Sequence, residues 1–185
     1  LHLTMRTRDR VHDRLILDAL EAIAPEPFEG DVWRVARKGR DPIRGGWANG
    51  RWSPQGEFEV LYTSLVREGA VTEVGYRLSL EPVWPSLIEH EAHRLDLRLE
   101  KALRFADVAK LEPLGVDANR YESFAYEKTQ AIASAAHFLE FDGLIVPNAR
   151  YDCANAVVFM DRLDGGRIDV KNTESVDWSN WLKSR

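Results

Sequence analysis

The sequence predicts an α+β fold in a single domain, on three observations. Apolar residues recur at helical spacing in two well-separated stretches, 10–23 and 125–141. Between and after them lie short period-two runs bounded by glycine- and proline-rich turns. The chain has 185 residues, enough to bury one sizeable core but not two. The predicted domain spans 5–185, with Leu1–Thr4, ahead of Met5, left outside it.

Each element follows from local pattern. From Arg10 to Ile23 the positions Val11, Leu15, Ile16, Ala19, Leu20 and Ile23 follow the i, i+3, i+4 rule of an amphipathic helix, ended by Pro25-Glu26-Pro27. Val32–Ala36 alternates as a strand that places Arg34 on the face of Val32 and Ala36. After the loop Gly45–Gly50 and the turn Ser53-Pro54-Gln55-Gly56, the residues Phe58, Val60 and Tyr62 line one face of a second strand. Ser64 is expected to cap a helix carrying Gly69, Ala70 and Glu73, broken by Glu81–Pro85. Ser86-Leu87-Ile88-Glu89 reads as a capping box for a short turn. Leu95, Leu97 and Leu99 define a strand over His93–Leu99, Ala102–Phe105 reads as a further short strand, and Asp107–Leu114 as a brief helix closed by Gly115.

In the second helix, Ala125–Phe141, the residues Ile132, Ala135, Ala136 and Leu139 face inward. Leu144–Val146 is a buried strand ended by Pro147. Asn155–Met160 and Arg167–Thr173 read as a hairpin around Asp164-Gly165-Gly166. Trp178 and Trp181 predict a terminal helix docking two indoles.

Composition removes several functions. With 44% hydrophobic and 30% charged residues the chain is a globular protein, and a net charge of −5 provides no general attraction to nucleic acid. Arg6, Arg8, Arg10 and Arg14 cluster at the start, where a frayed tail accounts for them. A nuclease acting on RNA would need a basic groove with interleaved aromatics, and no such patch is present. One cysteine, Cys153, excludes an internal disulfide and suits a reducing cytoplasm; no nearby base makes it a nucleophile. No apolar run reaches the roughly 20 residues of a membrane span. His90-Glu91-Ala92-His93 has i, i+3 spacing and no third partner, which does not fit a zinc helix, so no metal is expected. His137 is read as a packed or capping histidine.

Residues hard to explain as packing concentrate between Val32 and Glu73. An arginine on the apolar side of a strand is costly unless an anion meets it, which singles out Arg34. The glycine-rich loop delivers a second cation, Arg51, beside Trp52. Two guanidinium forks match phosphate oxygens, Tyr62 can stack on a flat heterocycle, and Glu73 can hydrogen-bond a ribose and stabilise an oxocarbenium-like charge. Together they suit a diphosphate-bearing ligand with a ribose and an aromatic ring, and point to NAD+ as a substrate cleaved at its nicotinamide bond. The competing readings make Glu73 an exposed partner of Arg77 at i+4, or a buried ion pair with Arg34.

The succession Trp33-Arg34, Gly50-Arg51-Trp52-Ser53-Pro54, Leu61-Tyr62-Thr63-Ser64 and Ala70 to Glu73 resembles the RES domain, the toxin half of bacterial RES–Xre toxin–antitoxin pairs. A second segment, Gln130–Ala136 followed by Gly143-Leu144-Ile145-Val146-Pro147, also fits, and the resemblance covers roughly 30–161. It implies an ADP-ribosyltransferase-like core of small, mostly antiparallel sheets flanked by helices. It further implies an NAD+-consuming activity, by degradation or by transfer of ADP-ribose to a protein, and an Xre-like helix-turn-helix antitoxin as partner, within a homodimer or a toxin–antitoxin assembly. On this reading Glu73, Arg34 and Tyr62 carry catalysis, and Arg34, Arg51, Tyr62, Trp52, Ser64, Glu127 and Asn148 contact the dinucleotide.

The serine behind the family's final letter has no match here. Where Pro-Ser-Ala is common the chain has Pro147-Asn148-Ala149, and Ser123 and Glu127 stand near the helix start. That departure leaves water, phosphate or a protein side chain as acceptor, with Glu127 suited to activating a protein nucleophile. It also admits a binding module that keeps the fold and the antitoxin interface but has weakened activity.

Overall fold

The computed structural model describes residues 11–185; the basic residues Arg6, Arg8 and Arg10 lie outside the described residues. The first helix, α1 (Arg14–Glu21), starts later than its periodicity predicts because the Asp13 carboxylate accepts the Leu15 N–H at 2.8 Å and caps it. Only Ile16 and Leu20 are buried on it, while Val11 and Leu15 stay exposed, so its apolar face is narrower than expected. Glu26 and Pro27 open the long strand β1 (Glu26–Arg37). Next come β2 (Val60–Ser64) and α2 (Arg67–Ser79). Ser64 is not the cap of α2: Val66 occupies the cap position with no side-chain bond.

The predicted strands 93–99 and 102–105 are one strand, β3 (His90–Arg104). The pattern changes phase at Glu100 and Lys101, where the Asp142 carboxylate accepts both backbone N–H groups (2.7 and 3.1 Å) and keeps the chain extended. The short turn expected at Ser86–Glu89 forms, the Ile88 N–H donating to the Pro85 carbonyl at 3.1 Å, and the chain then enters the β1–β3 ladder at Arg37↔His90. The 107–115 segment makes two single 3₁₀ turns ended by Gly115 at φ 93°. Then follow α3 (Glu127–Phe138), β4 (Gly143–Pro147), β5 (Ala154–Phe159), β6 (Arg167–Ser175) and α4 (Trp178–Lys183). β6 does not return on β5: it pairs antiparallel with β3, and Gly165 and Gly166 let the turn pass close over the Glu100 carboxylate and the Arg98 carbonyl.

The six strands run in the order β1-β2-β5-β4-β3-β6, antiparallel except for β3–β4. They form two three-stranded halves, β6-β3-β1 and β2-β5-β4. The halves meet through the pairs 102–104 with 143–145 and, at the other end, through Trp33↔Ser64 alone. Val32, Leu95, Leu97, Leu99, Leu61 and Val158 fill the space between the halves. α1 and α3 cover β2, β4 and β5 through Leu20, Ile132, Leu144 and Phe159. The indoles of Trp178 and Trp181 pack with Val71 of α2 and Val35 of β1, as the tail predicts. No helix among the described residues is long and apolar enough to cross a membrane.

Gly75 of α2 lies against the Trp181 ring, where an added Cβ would collide. A glycine-to-alanine change inside a helix ordinarily stabilises by about 1 kcal/mol. Here overpacking of about 1–3 kcal/mol opposes that gain. Gly75→Ala is therefore expected to lower stability, a reversal of sign readable in urea unfolding.

Candidate active site

The cleft opens at the weak seam. Beyond Trp33↔Ser64 no further β1–β2 pair forms, and Arg34 of β1 and Tyr62 of β2 flank the gap. Arg34 reaches across with Nη1 donating to the Tyr62 carbonyl and Nη2 to the Arg44 carbonyl, both at 3.4 Å. Its Nε is buried and, among the described residues, has no hydrogen-bond partner. Burial, then the nearby Arg77 charge, holds the guanidinium below its ordinary pKa. Arg34 is thus a cation whose own protein does not complete its hydrogen bonding.

α2 brings Glu73 to the same gap because its first turn is small. A side chain at Gly69 would collide with Ser64 Oγ and lie 2.5 Å from Cys153 Sγ, so the helix can approach β2 this closely only with glycine there. Glu73 Oε1 accepts from Asn155 Nδ2 of β5 at 2.9 Å, rather than pairing with Arg77 one turn on or with Arg34. Burial raises the Glu73 pKa, and the Asn155 bond with the charges of Arg77, Arg51 and Arg150 opposes the rise.

Tyr62 builds the loop that carries Arg51. Its Oη accepts the Trp52 backbone N–H at 2.9 Å and shares a 2.8 Å bond with Ser53 Oγ, and a Cβ at Gly50 would lie 2.7 Å from it. Burial pushes the phenol pKa up to about 12, so it stays protonated. Gln130 of α3 completes the clamp, its Nε2 donating to Asn49 Oδ1 at 2.6 Å and the Gly50 carbonyl at 2.8 Å. Arg51, thus delivered, donates to the Tyr121 and Ser123 carbonyls and lies 4.9 and 5.1 Å from the ring centres of Tyr121 and Tyr126. Tyr62→Phe keeps the ring and loses two hydrogen bonds, each worth about 1 kcal/mol. Its expected signature is a lower urea midpoint.

Arg34, Tyr62, Ser64, Glu73 and Arg77 line a cleft of 460 Å³. Tyr62, Glu73 and Arg77 also line an adjoining hollow of 50 Å³ that contains Arg51, Tyr76, Phe124, Tyr126, Arg150 and Asn155. The structure therefore gathers Arg34, Arg51, Tyr62, Glu73 and Ser64 from the predicted set. The remaining three stand differently. Trp52 touches the smaller hollow, but at 1% exposure its indole is core. Glu127 lies in the first turn of α3, in a further hollow that Arg51, Lys128 and Arg120 also line and Glu73 does not. Asn148 is buried and bonds Asn155 at 2.9 Å, one residue removed from Glu73.

Asn155, Arg150 and Tyr126 escaped the sequence reading, and Arg77 entered it only as a competing partner of Glu73. Of the three missed, Asn155 carried a signal, an amide inside the otherwise apolar run Ala154–Phe159. His90 and His93, on opposite faces of β3, serve packing: His90 Nδ1 accepts from Trp178 Nε1 at 3.1 Å and His93 Nδ1 lies 2.8 Å from Thr173 Oγ1. Among the described residues no group of three or more His, Cys, Asp or Glu is placed to hold a metal.

A cation pair, a protonated phenol and one partly desolvated carboxylate around a cleft can bind a polyanion with a sugar and stabilise positive charge forming on it. No curated protein matches the chain. Among solved structures, a chain of the M. tuberculosis MbcT–MbcA toxin–antitoxin complex has the same fold, with TM-score 0.77 at 18% identity over 92% of this chain and 97% of that one. The RES domain model matches residues 31–179, extending past the 30–161 expected from motifs. The chain belongs to the RES domain family.

Proposed function

We propose that the chain is the toxin of a toxin–antitoxin pair, that it cleaves NAD+ at the nicotinamide–ribose bond, and that it passes ADP-ribose to water, phosphate or a protein side chain. The observation that supports this reading is that Glu73 and Tyr62 stand between two adjoining cavities, one lined by Arg34 and the other by Arg51. The guanidinium forks bind the diphosphate, and the Tyr62 ring packs on the nicotinamide. As the glycosidic bond breaks, positive charge grows on the ribose, and the Glu73 carboxylate stabilises it where it is largest. The carboxylate must be ionised to do so. Because its pKa is raised, the rate is expected to fall on acidification at a higher pH than an ordinary glutamate would give.

An Xre-like helix-turn-helix antitoxin is the proposed partner, in keeping with the toxin–antitoxin complex that shares the fold, and the single cysteine suits a cytoplasmic site of action. The test is to incubate purified protein with NAD+ and follow free nicotinamide. Dependence on phosphate and mass spectrometry for ADP-ribose adducts then separate the acceptors. The alternative, a binding module with weakened activity, draws on Asn148 in the Pro-Ser-Ala position and on the capture of Arg51 by the Tyr121 and Ser123 carbonyls. No nicotinamide release with any acceptor would favour it.

A further inference from the structure

Glu73 sits at the end of a chain of side-chain amides whose orientation is dictated from the far end. Asn148 Oδ1 accepts two backbone N–H groups, from Arg150 at 2.7 Å and Tyr151 at 3.1 Å. That atom must therefore be the oxygen, and the amide NH₂ must point the other way. There it meets the Asn155 Oδ1 at 2.9 Å and the Gly69 carbonyl at 3.5 Å, both acceptors, with the Cys153 thiol beside them. With its oxygen engaged, Asn155 presents its own NH₂ to Glu73 Oε1 at 2.9 Å. Asn148 and Asn155 are both buried, at 8% and 5% exposure, which strengthens these bonds relative to exposed ones.

We infer that Asn148 and Asn155 form a directional relay of positioning residues that turns an amide donor toward Glu73 and keeps its carboxylate ionised and aimed into the cleft. The inference deepens the proposed NAD+ cleavage and rests on it for its catalytic consequence. A buried carboxyl without such a donor shifts toward its neutral form, which cannot stabilise the forming ribosyl cation. The relay also explains why an asparagine can stand in the Pro-Ser-Ala position: the Asn148 side chain supplies both an acceptor for the turn and a donor for Asn155.

Other charged and titratable groups act on Glu73 and keep their identity in relay variants: Arg77 on its own helix, Arg51 from the 45–56 loop, Arg150 and Cys153 from the β4–β5 connection, Tyr62 of β2 and Tyr121; Asn148 also holds the Arg150 backbone, an effect that would persist in the Asn155→Ala background. The relay can therefore be isolated with neutral substitutions in a double-mutant cycle. The Glu73 carboxyl is titrated by ¹³C NMR in glutamate-labelled full-length protein, its signal assigned by loss in Glu73→Gln, and the pH profile of kcat for NAD+ is recorded alongside.

Asn155→Ala is expected to raise the titration midpoint by about one pH unit, the size of one net hydrogen bond. Asn148→Ala should do the same in the parent protein and clearly less in the Asn155→Ala background, where only the effect on the Arg150 backbone persists. Where Asn148→Ala does not fold, Asn148→Ser replaces it, since a hydroxyl can still cap the Arg150 and Tyr151 N–H groups while its shorter arm leaves Asn155 Oδ1 unmatched. An unmoved midpoint, or an Asn148 effect of equal size in both backgrounds, overturns the relay. If the midpoint moves as expected but no nicotinamide is released, the relay stands and the NAD+ reading fails.

Discussion

Glu73→Gln is expected to slow nicotinamide release from NAD+ by about a hundredfold or more, the usual consequence of removing a group aimed at transition-state charge, with little change in KM. The same substitution should make the protein more stable at neutral pH. Burial raises the folded-state pKa of Glu73 above its unfolded value. Below the unfolded pKa the carboxyl is neutral in both states and costs nothing. As pH rises through the folded pKa, the folded protein must hold a desolvated charge, and stability falls. Glutamine keeps an oxygen for the Asn155 N–H and never ionises. Its advantage should be on the order of 1 kcal/mol at pH 7 and vanish in acid. Thermal unfolding of both proteins across pH checks this, and equal stabilities at pH 7 would show that Glu73 is not a strained charge.

Arg34→Met should show the same opposition through binding. In the free protein the guanidinium makes two long bonds of 3.4 Å, and its buried Nε has no partner among the described residues. Methionine fills a similar volume without a charge to desolvate, so stability is expected to hold or rise. Against NAD+ the loss is that of charge-assisted bonds to phosphate, about 2–3 kcal/mol. That corresponds to roughly a 30- to 150-fold increase in KM. Isothermal titration of ADP-ribose into both proteins measures this apart from turnover. Unchanged affinity would mean that Arg34 meets no anion. Taken together, the two substitutions separate a site that binds and cleaves from an ion pair serving the fold, since breaking such a pair would destabilise in both cases.

How far the sequence could be read depended on whether a feature was local. The helices over α2, α3 and α4 and the strands β1, β2, β4 and β5 were legible because period and turn chemistry are written within a few residues. The closeness of α2 to the sheet was legible too, since Gly69 and Ala70 precede Glu73 by one turn. The joining of two predicted strands into β3 was not, because it depends on the carboxylate of Asp142, some forty residues on. The pairing of β6 with β3 was hidden for a similar reason: Asp164-Gly165-Gly166 has hairpin chemistry, and the strand that β6 joins lies far back in the chain.

By itself the sequence determined the family and the α+β class, and it singled out the four groups to which the proposed chemistry is assigned, Arg34, Arg51, Tyr62 and Glu73, because residue type and local spacing carry those choices. Tertiary structure decided what surrounds them: that Glu127 lines a different hollow from Glu73, that Trp52 is core, and that Asn155, oriented by Asn148, rather than Arg77, meets the carboxylate. The reason is that the direction of a hydrogen bond and the depth of a charge depend on neighbours brought from distant segments, and no local pattern encodes them.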